Sequence, residues 1–218
     1  MNARAFQARE ELVGADIASG VMAGALRHPD KPALLFEGRC LSFADLAERI
    51  QRVAALARDE LNLLPGDCVA IYAPNCLPYI ELVAGLSRAG VMVATPTHRA
   101  AQIELRQILD NCQAKLVFCP DDLRSGLAWL DSASVISLNA GYEDMLARQS
   151  LDQPVLPADA EATFCIPYTS GTTGEPKGVM LSHHCRSHLF AAMAYHFRCL
   201  GPQDQHLCFA PLAHGGGY

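Results

Sequence analysis

Strand-length apolar runs alternate with segments of helical periodicity along most of this chain, and that alternation restricts the fold more than any other feature. Pro32–Phe36 reads as a short strand and Glu37-Gly38 as the turn after it. Ser42 with Asp45 three residues on has the spacing of a capping box. Phe43, Leu46, Ala47, Ile50, Val53, Ala54, Ala57 and Leu61 then recur at helical spacing and mark one buried face. Pro65-Gly66-Asp67 makes a turn, and residues 68–72 form an apolar run suited to a strand covered on both faces. Helices are predicted over residues 78–89, 101–112 and 142–148, and strands over 91–95, 115–119 and 135–138. Residues 120–133 look irregular, with a short helix over 127–130, and residues 154–160 form a polar connector. The predicted class is α/β, with layered, largely parallel sheets flanked by helices.

Half of the 218 residues are apolar, enough for a substantial core in one or two domains. The charged fraction is 18% and the net charge −6, so no broad basic face invites nucleic acid or an anionic membrane. The longest apolar neighbourhood, residues 80–94, is broken by Glu81 and Arg88, and no membrane span is expected. Nine cysteines lie scattered without Cys-x-x-Cys spacing, several inside apolar runs, which reads as reduced thiols in a cytoplasmic protein. Residues 1–11 carry both signs of charge and lack the apolar stretch of a signal peptide.

One loop carries the chemistry. Residues 162–168 are strand-like, although Pro167 predicts an edge position or an early end. They lead into Thr169-Ser-Gly-Thr-Thr-Gly-Glu-Pro-Lys-Gly178, and residues 179–181 read as a second short strand. Gly171, Gly174 and Gly178 permit positive φ and close approach to a bulky anion. Successive amides in such a turn can converge into an anion-binding nest. Ser170, Thr172 and Thr173 add hydroxyl donors, Lys177 adds a full positive charge, and Pro176 stiffens the loop. Ordinary turns use the same residue types, but not in this order between two strand-like flanks. A Walker A loop needs a hydroxyl residue directly after its lysine, whereas Gly178 follows Lys177. The pattern points to polyphosphate.

The run Tyr168-Thr-Ser-Gly-Thr-Thr-Gly-Glu-Pro-Lys-Gly-Val-Met-Leu-Ser-His183 resembles the signature of the adenylate-forming superfamily. That superfamily comprises acyl- and aryl-CoA synthetases, peptide-synthetase adenylation domains and luciferases. Pro29-Asp-Lys-Pro-Ala33, Leu41-Ser-Phe-Ala-Asp-Leu46, Pro65-Gly-Asp67, Ala73-Pro-Asn75 and Ala89-Gly90 are similar to features of its N-terminal region. The resemblance implies that residues 1–218 are part of the N-terminal, AMP-binding domain of an adenylate-forming enzyme. In that family the loop holds the β- and γ-phosphates of ATP while a substrate carboxylate attacks the α-phosphorus. An acyl-adenylate and pyrophosphate result, and many members pass the acyl group to coenzyme A. By position, Thr169, Ser170, Gly171, Thr172, Thr173, Gly174 and Lys177 are the implied nucleotide-binding residues, acting by positioning and charge stabilisation. The implied cofactors are ATP and Mg2+, with coenzyme A as co-substrate, and the implied partner is a small-molecule carboxylic acid.

Residues 207–210 read as a strand, and Pro211-Leu-Ala-His-Gly-Gly-Gly-Tyr218 after them resembles the family's Pro-Leu-aromatic-His-x-x-Gly stretch, which borders the acyl pocket. Ala213 stands where the aromatic residue is usual, and His214 is the implied substrate-binding residue. A histidine bonded only within its own turn is the other reading. This motif favours an acyl- or aryl-CoA ligase over a peptide-synthetase domain. His184 and His188 share one face of a helix predicted over residues 183–198, but Cys185 stands where a zinc-protease pattern needs glutamate. No metal site is assigned to them.

The resemblance further implies that the family's adenine-, ribose- and magnesium-binding segments and its small C-terminal domain are absent, so no catalytic residue is assigned. A fragment of this kind is expected to be inactive alone and to self-associate through exposed apolar edges. A non-catalytic nucleotide- or partner-binding module derived from such an enzyme is the alternative.

Overall fold

The βα alternation runs from residue 32 to residue 147 in the computed structural model, which describes residues 9–169, 176–199, 201 and 203–214. Helix α1 (Ser19–Arg27) precedes an antiparallel hairpin of β1 (Pro32–Phe36) and β2 (Arg39–Ser42). The second strand of this hairpin was not foreseen, since four residues are too few for a periodic signal. Positive φ at both Glu37 (48°) and Gly38 (76°) folds the chain back, the geometry that a two-residue hairpin turn requires.

Helix α2 (Phe43–Ala55) starts as its sequence dictates. The Asp45 amide donates to Ser42 Oγ at 3.1 Å and the Ser42 amide to Asp45 Oδ2 at 2.9 Å, satisfying two otherwise orphaned donors. Leu46, Ala47, Ile50, Val53, Ala54 and Ala57 are buried, whereas Phe43 and Leu61 at the two ends are half-buried. The helix runs on into a π-helical turn over Leu56–Glu60.

Then follow β3 (Cys68–Ile71), α3 (Leu77–Arg88), β4 (Met92–Thr95), α4 (Gln102–Cys112), β5 (Val117–Cys119), α5 (Asp121–Arg124), β6 (Val135–Ser137) and α6 (Ala140–Ala147). The chain returns through β7 (Thr163–Thr169), β8 (Lys177–Gly178) and β9 (Leu181–Ser182) to α7 (His183–Phe197). Among the described residues β3 to β9 form one sheet whose parallel part has the order β6-β5-β3-β4-β7. Strands β8 and β9 pair antiparallel with the far side of β7. Side chains alternate across this sheet: Val69 and Ile71 enter the core beneath α2 and α3, while Cys68 and Ala70 face Leu105 and Leu109 of α4. Both faces of β3 are therefore covered, which is why its residues are apolar without alternation.

The N-terminal segment is held to this sheet by a buried ion pair. Arg88 Nη1 lies 3.2 Å from Asp16 Oδ2, with both side chains essentially inaccessible. The same guanidinium donates to the carbonyls of Leu12 at 2.6 Å and Val155 at 2.9 Å, so its donors are met by fixed acceptors.

Four expectations from the sequence are corrected. Pro167 is not at an edge, because β7 pairs with β4 on one side and with β8 and β9 on the other. Its carbonyl accepts from the Val179 amide at 3.0 Å, so its donor-less nitrogen faces the same side. There β8 ends at Gly178 and β9 begins only at Leu181, and the missing N–H falls in that gap. The strand expected over residues 179–181 is split for the same reason. The short helix expected over residues 127–130 lies earlier, as α5 and a 3-10 turn over Ser125–Leu127. Pro120 followed by Asp121 and Asp122 favours a helix start at that point. Residues 207–210 pair with no strand among the described residues, and Leu207 and Phe209 are 81% and 89% exposed. An apolar run becomes a strand only where a neighbour completes its ladder.

Candidate functional site

Strands β3, β4 and β7 are parallel neighbours, so the segments that leave them emerge along one edge of the sheet. In open α/β sheets ligands bind at such carboxyl ends. At the end of β7 the chain doubles back: Thr169 is register-paired with Lys177, and Tyr168 with Gly178. Ser170, Gly171, Thr172, Thr173 and Gly174 lie outside the described residues. Thr169 and Lys177, at the two ends of that loop, are both exposed at the sheet edge. The Thr169 hydroxyl and the Lys177 ammonium are thus hydrogen-bond donors open to solvent at this edge.

Gly178 serves the hairpin in another way than the sequence suggested. Its φ is not positive; instead a Cβ there would come 2.7 Å from Ile166 Cγ2 and 2.9 Å from Tyr168 Cζ. Close approach alone requires glycine. The Tyr168 hydroxyl donates to Asn111 Oδ1 at 2.6 Å, bracing the loop's base against α4. Burial, with the Cys112 thiol beside it, pushes the Tyr168 phenol well above its usual range, so it remains a donor.

The segment Pro211 to His214 reaches the same edge from the end of the described chain. The Asn75 carboxamide, just beyond β3, donates through Nδ2 to the Ala210 carbonyl at 3.0 Å and accepts the Leu212 amide at 2.7 Å. Thr95, the last residue of β4, donates through Oγ1 to the Ala213 carbonyl at 3.3 Å. The His214 amide closes the turn on the Pro211 carbonyl at 3.0 Å. Leu212 and Ala213 are buried, whereas His214 is exposed. Ala213 therefore sits under the turn, and His214 is the side chain the turn presents. A cavity of about 760 Å3 opens beneath, lined in part by Asn75, Cys76, Ile80 and Leu212.

The structure thus brings Thr169, Lys177 and His214 to the carboxyl ends of adjacent strands. Asn75 and Thr95 were not singled out from the sequence as site residues. Asn75 was visible only within Ala73-Pro-Asn75, and its partners lie 135 and 137 positions away, where no spacing rule reaches. Among the described residues no three His, Cys, Asp or Glu side chains gather as a metal site. His184 instead pairs through Nδ1 with Glu161 Oε1 at 2.7 Å and meets His188 edge-on. A second cavity, about 420 Å3, lies at the opposite edge, where β4 and β7 begin, and is lined by Pro65, Gly90, Met92 and Thr163.

The family model described as AMP-binding enzyme matches residues 22–218. Long-chain fatty acid transport protein 2 of Rattus norvegicus is 29% identical over 178 residues, covering 73% of this chain and 29% of that protein. Fatty acid–[acyl-carrier-protein] ligase ScoC of Streptomyces coeruleorubidus is 31% identical over 163 residues, covering 73% of this chain and 31% of its own. The crystal structure of ATP-bound MatB from Rhodopseudomonas palustris superposes with a TM-score of 0.83 at 26% identity, over 93% of this chain and 41% of that one. The chain spans about three-tenths of the length of these two curated relatives.

Proposed function

We propose a function from one premise: the chain belongs to the AMP-binding enzyme family, which includes AMP-forming acid–thiol ligases. On that premise residues 1–218 are part of the N-terminal domain of an ATP-dependent carboxylate–CoA ligase. ATP, when bound, supplies the α-phosphorus that a carboxylate attacks, releasing pyrophosphate and leaving an acyl-adenylate for transfer to the thiol of coenzyme A. The loop from Thr169 to Gly174, with Lys177, holds the β- and γ-phosphates, and His214 faces the acid. The observation that carries this reading is the Thr169–Lys177 pairing, which exposes a hydroxyl and an ammonium beside the His214 turn. Fixed donors so placed meet phosphate charge without reorganising. Mg2+ arrives with the nucleotide, held chiefly by its phosphates rather than by a protein cage.

By itself the chain binds ATP weakly and does not adenylate, because rate acceleration needs several groups held around the reacting centre. It self-associates through exposed apolar edges, such as the sheet margin where Val179 and Met180 stand exposed between β8 and β9. Nine free thiols support a reducing, cytoplasmic setting.

Titration of the chain with Mg·ATP tests the nucleotide reading. Binding to the unaltered chain that weakens about tenfold in Lys177→Ala supports it; no binding, or equal binding by both, overturns it. Pyrophosphate release at normal turnover with any member of a carboxylate panel would overturn the inactivity of the chain alone.

A further inference from the structure

Asn75 lies between β3 and α3, in neither element, at the carboxyl edge of the sheet. Its side chain spends both halves of the carboxamide on one short stretch, Nδ2 on the Ala210 carbonyl and Oδ1 on the Leu212 amide. An adjacent donor and acceptor on so short a stem is what asparagine alone provides, since aspartate lacks the donor and glutamine is longer. These bonds join segments that no ladder connects, for residues 203–214 form no helix or strand. With Thr95 on the Ala213 carbonyl, the stretch that ends in His214 hangs from two side chains at the sheet edge. His214 stands two residues beyond Leu212, so a shift at Leu212 carries straight to the imidazole.

We propose that Asn75 is the positioning residue for the acid-binding half of the site: it sets where His214 stands relative to the Thr169–Lys177 hairpin. This rests on the reading of His214 as facing the acid. Asn75 acts through the turn, whereas the triphosphate is assigned to the β7–β8 loop on the far side of β4. Loss of Asn75 therefore acts unequally on the two ligand halves, which a general loss of stability would not do.

The test compares the unaltered chain with Asn75→Ala, which loses both bonds, and Asn75→Asp, which keeps the acceptor for Leu212. Three quantities are measured: amide hydrogen exchange at Leu212 and at Val93 in the core, affinity for Mg·ATP, and affinity for the N-octanoyl sulfamate of adenosine. The last probe joins an acyl chain to adenosine through a sulfamate and has no triphosphate. In Asn75→Ala, Leu212 exchange rises by about tenfold or more while Val93 stays protected. Affinity for the sulfamate falls about tenfold, ATP affinity changes less than about twofold, and Asn75→Asp falls between. Unchanged Leu212 exchange in Asn75→Ala overturns the proposal, as does a parallel loss of both affinities. If the unaltered chain binds ATP but not the sulfamate, the acid-site assignment fails and the purpose given to Asn75 fails with it. If it binds neither, the nucleotide reading fails, and the exchange result still decides whether Asn75 holds the turn. Should Asn75→Ala not fold, Asn75→Asp, which loses only the Ala210 bond, decides through the two affinities: a fall in sulfamate affinity without a matching fall in ATP affinity supports the proposal, and unchanged sulfamate affinity or a parallel loss of both overturns it.

Discussion

The Ile17 amide donates to His183 Nδ1 at 3.1 Å, joining the N-terminal segment to the first residue of α7 across 166 positions of sequence. The bond requires Nδ1 to be an acceptor, so it exists only with a neutral imidazole. His183 is fully buried and stacked on Phe164 with ring centroids 5.3 Å apart.

Burial holds the His183 pKa below the usual histidine range, outweighing the opposite pull of Asp16, the Ser87 carbonyl and Asp159, while Arg88 acts in the same direction as burial. The unfolded chain takes up a proton near pH ~6.5 that the folded chain resists. Stability is therefore full above that pH and declines as the pH falls through it. Denaturant midpoints between pH 8 and pH 5 should show this decline. His183→Gln, which keeps an acceptor but does not titrate, should show a shallower one.

Arg88→Ala should destabilise the chain by about 3–5 kcal/mol, because it leaves the buried Asp16 carboxylate without its counter-charge, with only the Ser19 hydroxyl and the Ala158 amide as donors among the described residues, and removes the donor to the Leu12 carbonyl. Urea unfolding followed by circular dichroism measures this. A loss below about 1 kcal/mol, the scale of an exposed pair, would mean that the Ser19 hydroxyl and the Ala158 amide suffice to hold the carboxylate.

Gly178→Ala should cost about 1–3 kcal/mol, since its Cβ would stand 2.7 Å from Ile166 Cγ2 and 2.9 Å from the Tyr168 ring. The displaced side chains belong to β7, so the Tyr168–Asn111 bond should loosen as well. Urea midpoints give the cost, and a shift of the Tyr168 ring resonances reports the displacement.

Lys177→Ala should leave stability within about 0.5 kcal/mol, because the side chain is exposed. The same variant should lose ATP affinity, and this separation of binding from folding is the result to look for in paired titration and melting experiments.

Local rules were legible in this chain because their partners sit within one turn of each other. The Ser42–Asp45 box, the buried face of α2 and the core positions of β3, β4 and β5 all follow from contacts or periodicities a few residues long. The residue types of the loop between Thr169 and Lys177 point to an anion by the same local logic, and the Mg·ATP titration is what tests that expectation.

Tertiary structure decided what those rules cannot reach. Pro167 reads as an edge residue in isolation, and only the gap between β8 and β9 makes an interior place tolerable. Residues 207–210 have strand-like composition, yet composition does not supply a partner strand. The order β6-β5-β3-β4-β7 is of the same kind, and the pairings Asp16–Arg88, Ile17–His183 and Asn75–Leu212 join positions 72 or more apart in sequence. Such contacts form where the core brings the segments together, and no spacing along the chain encodes them.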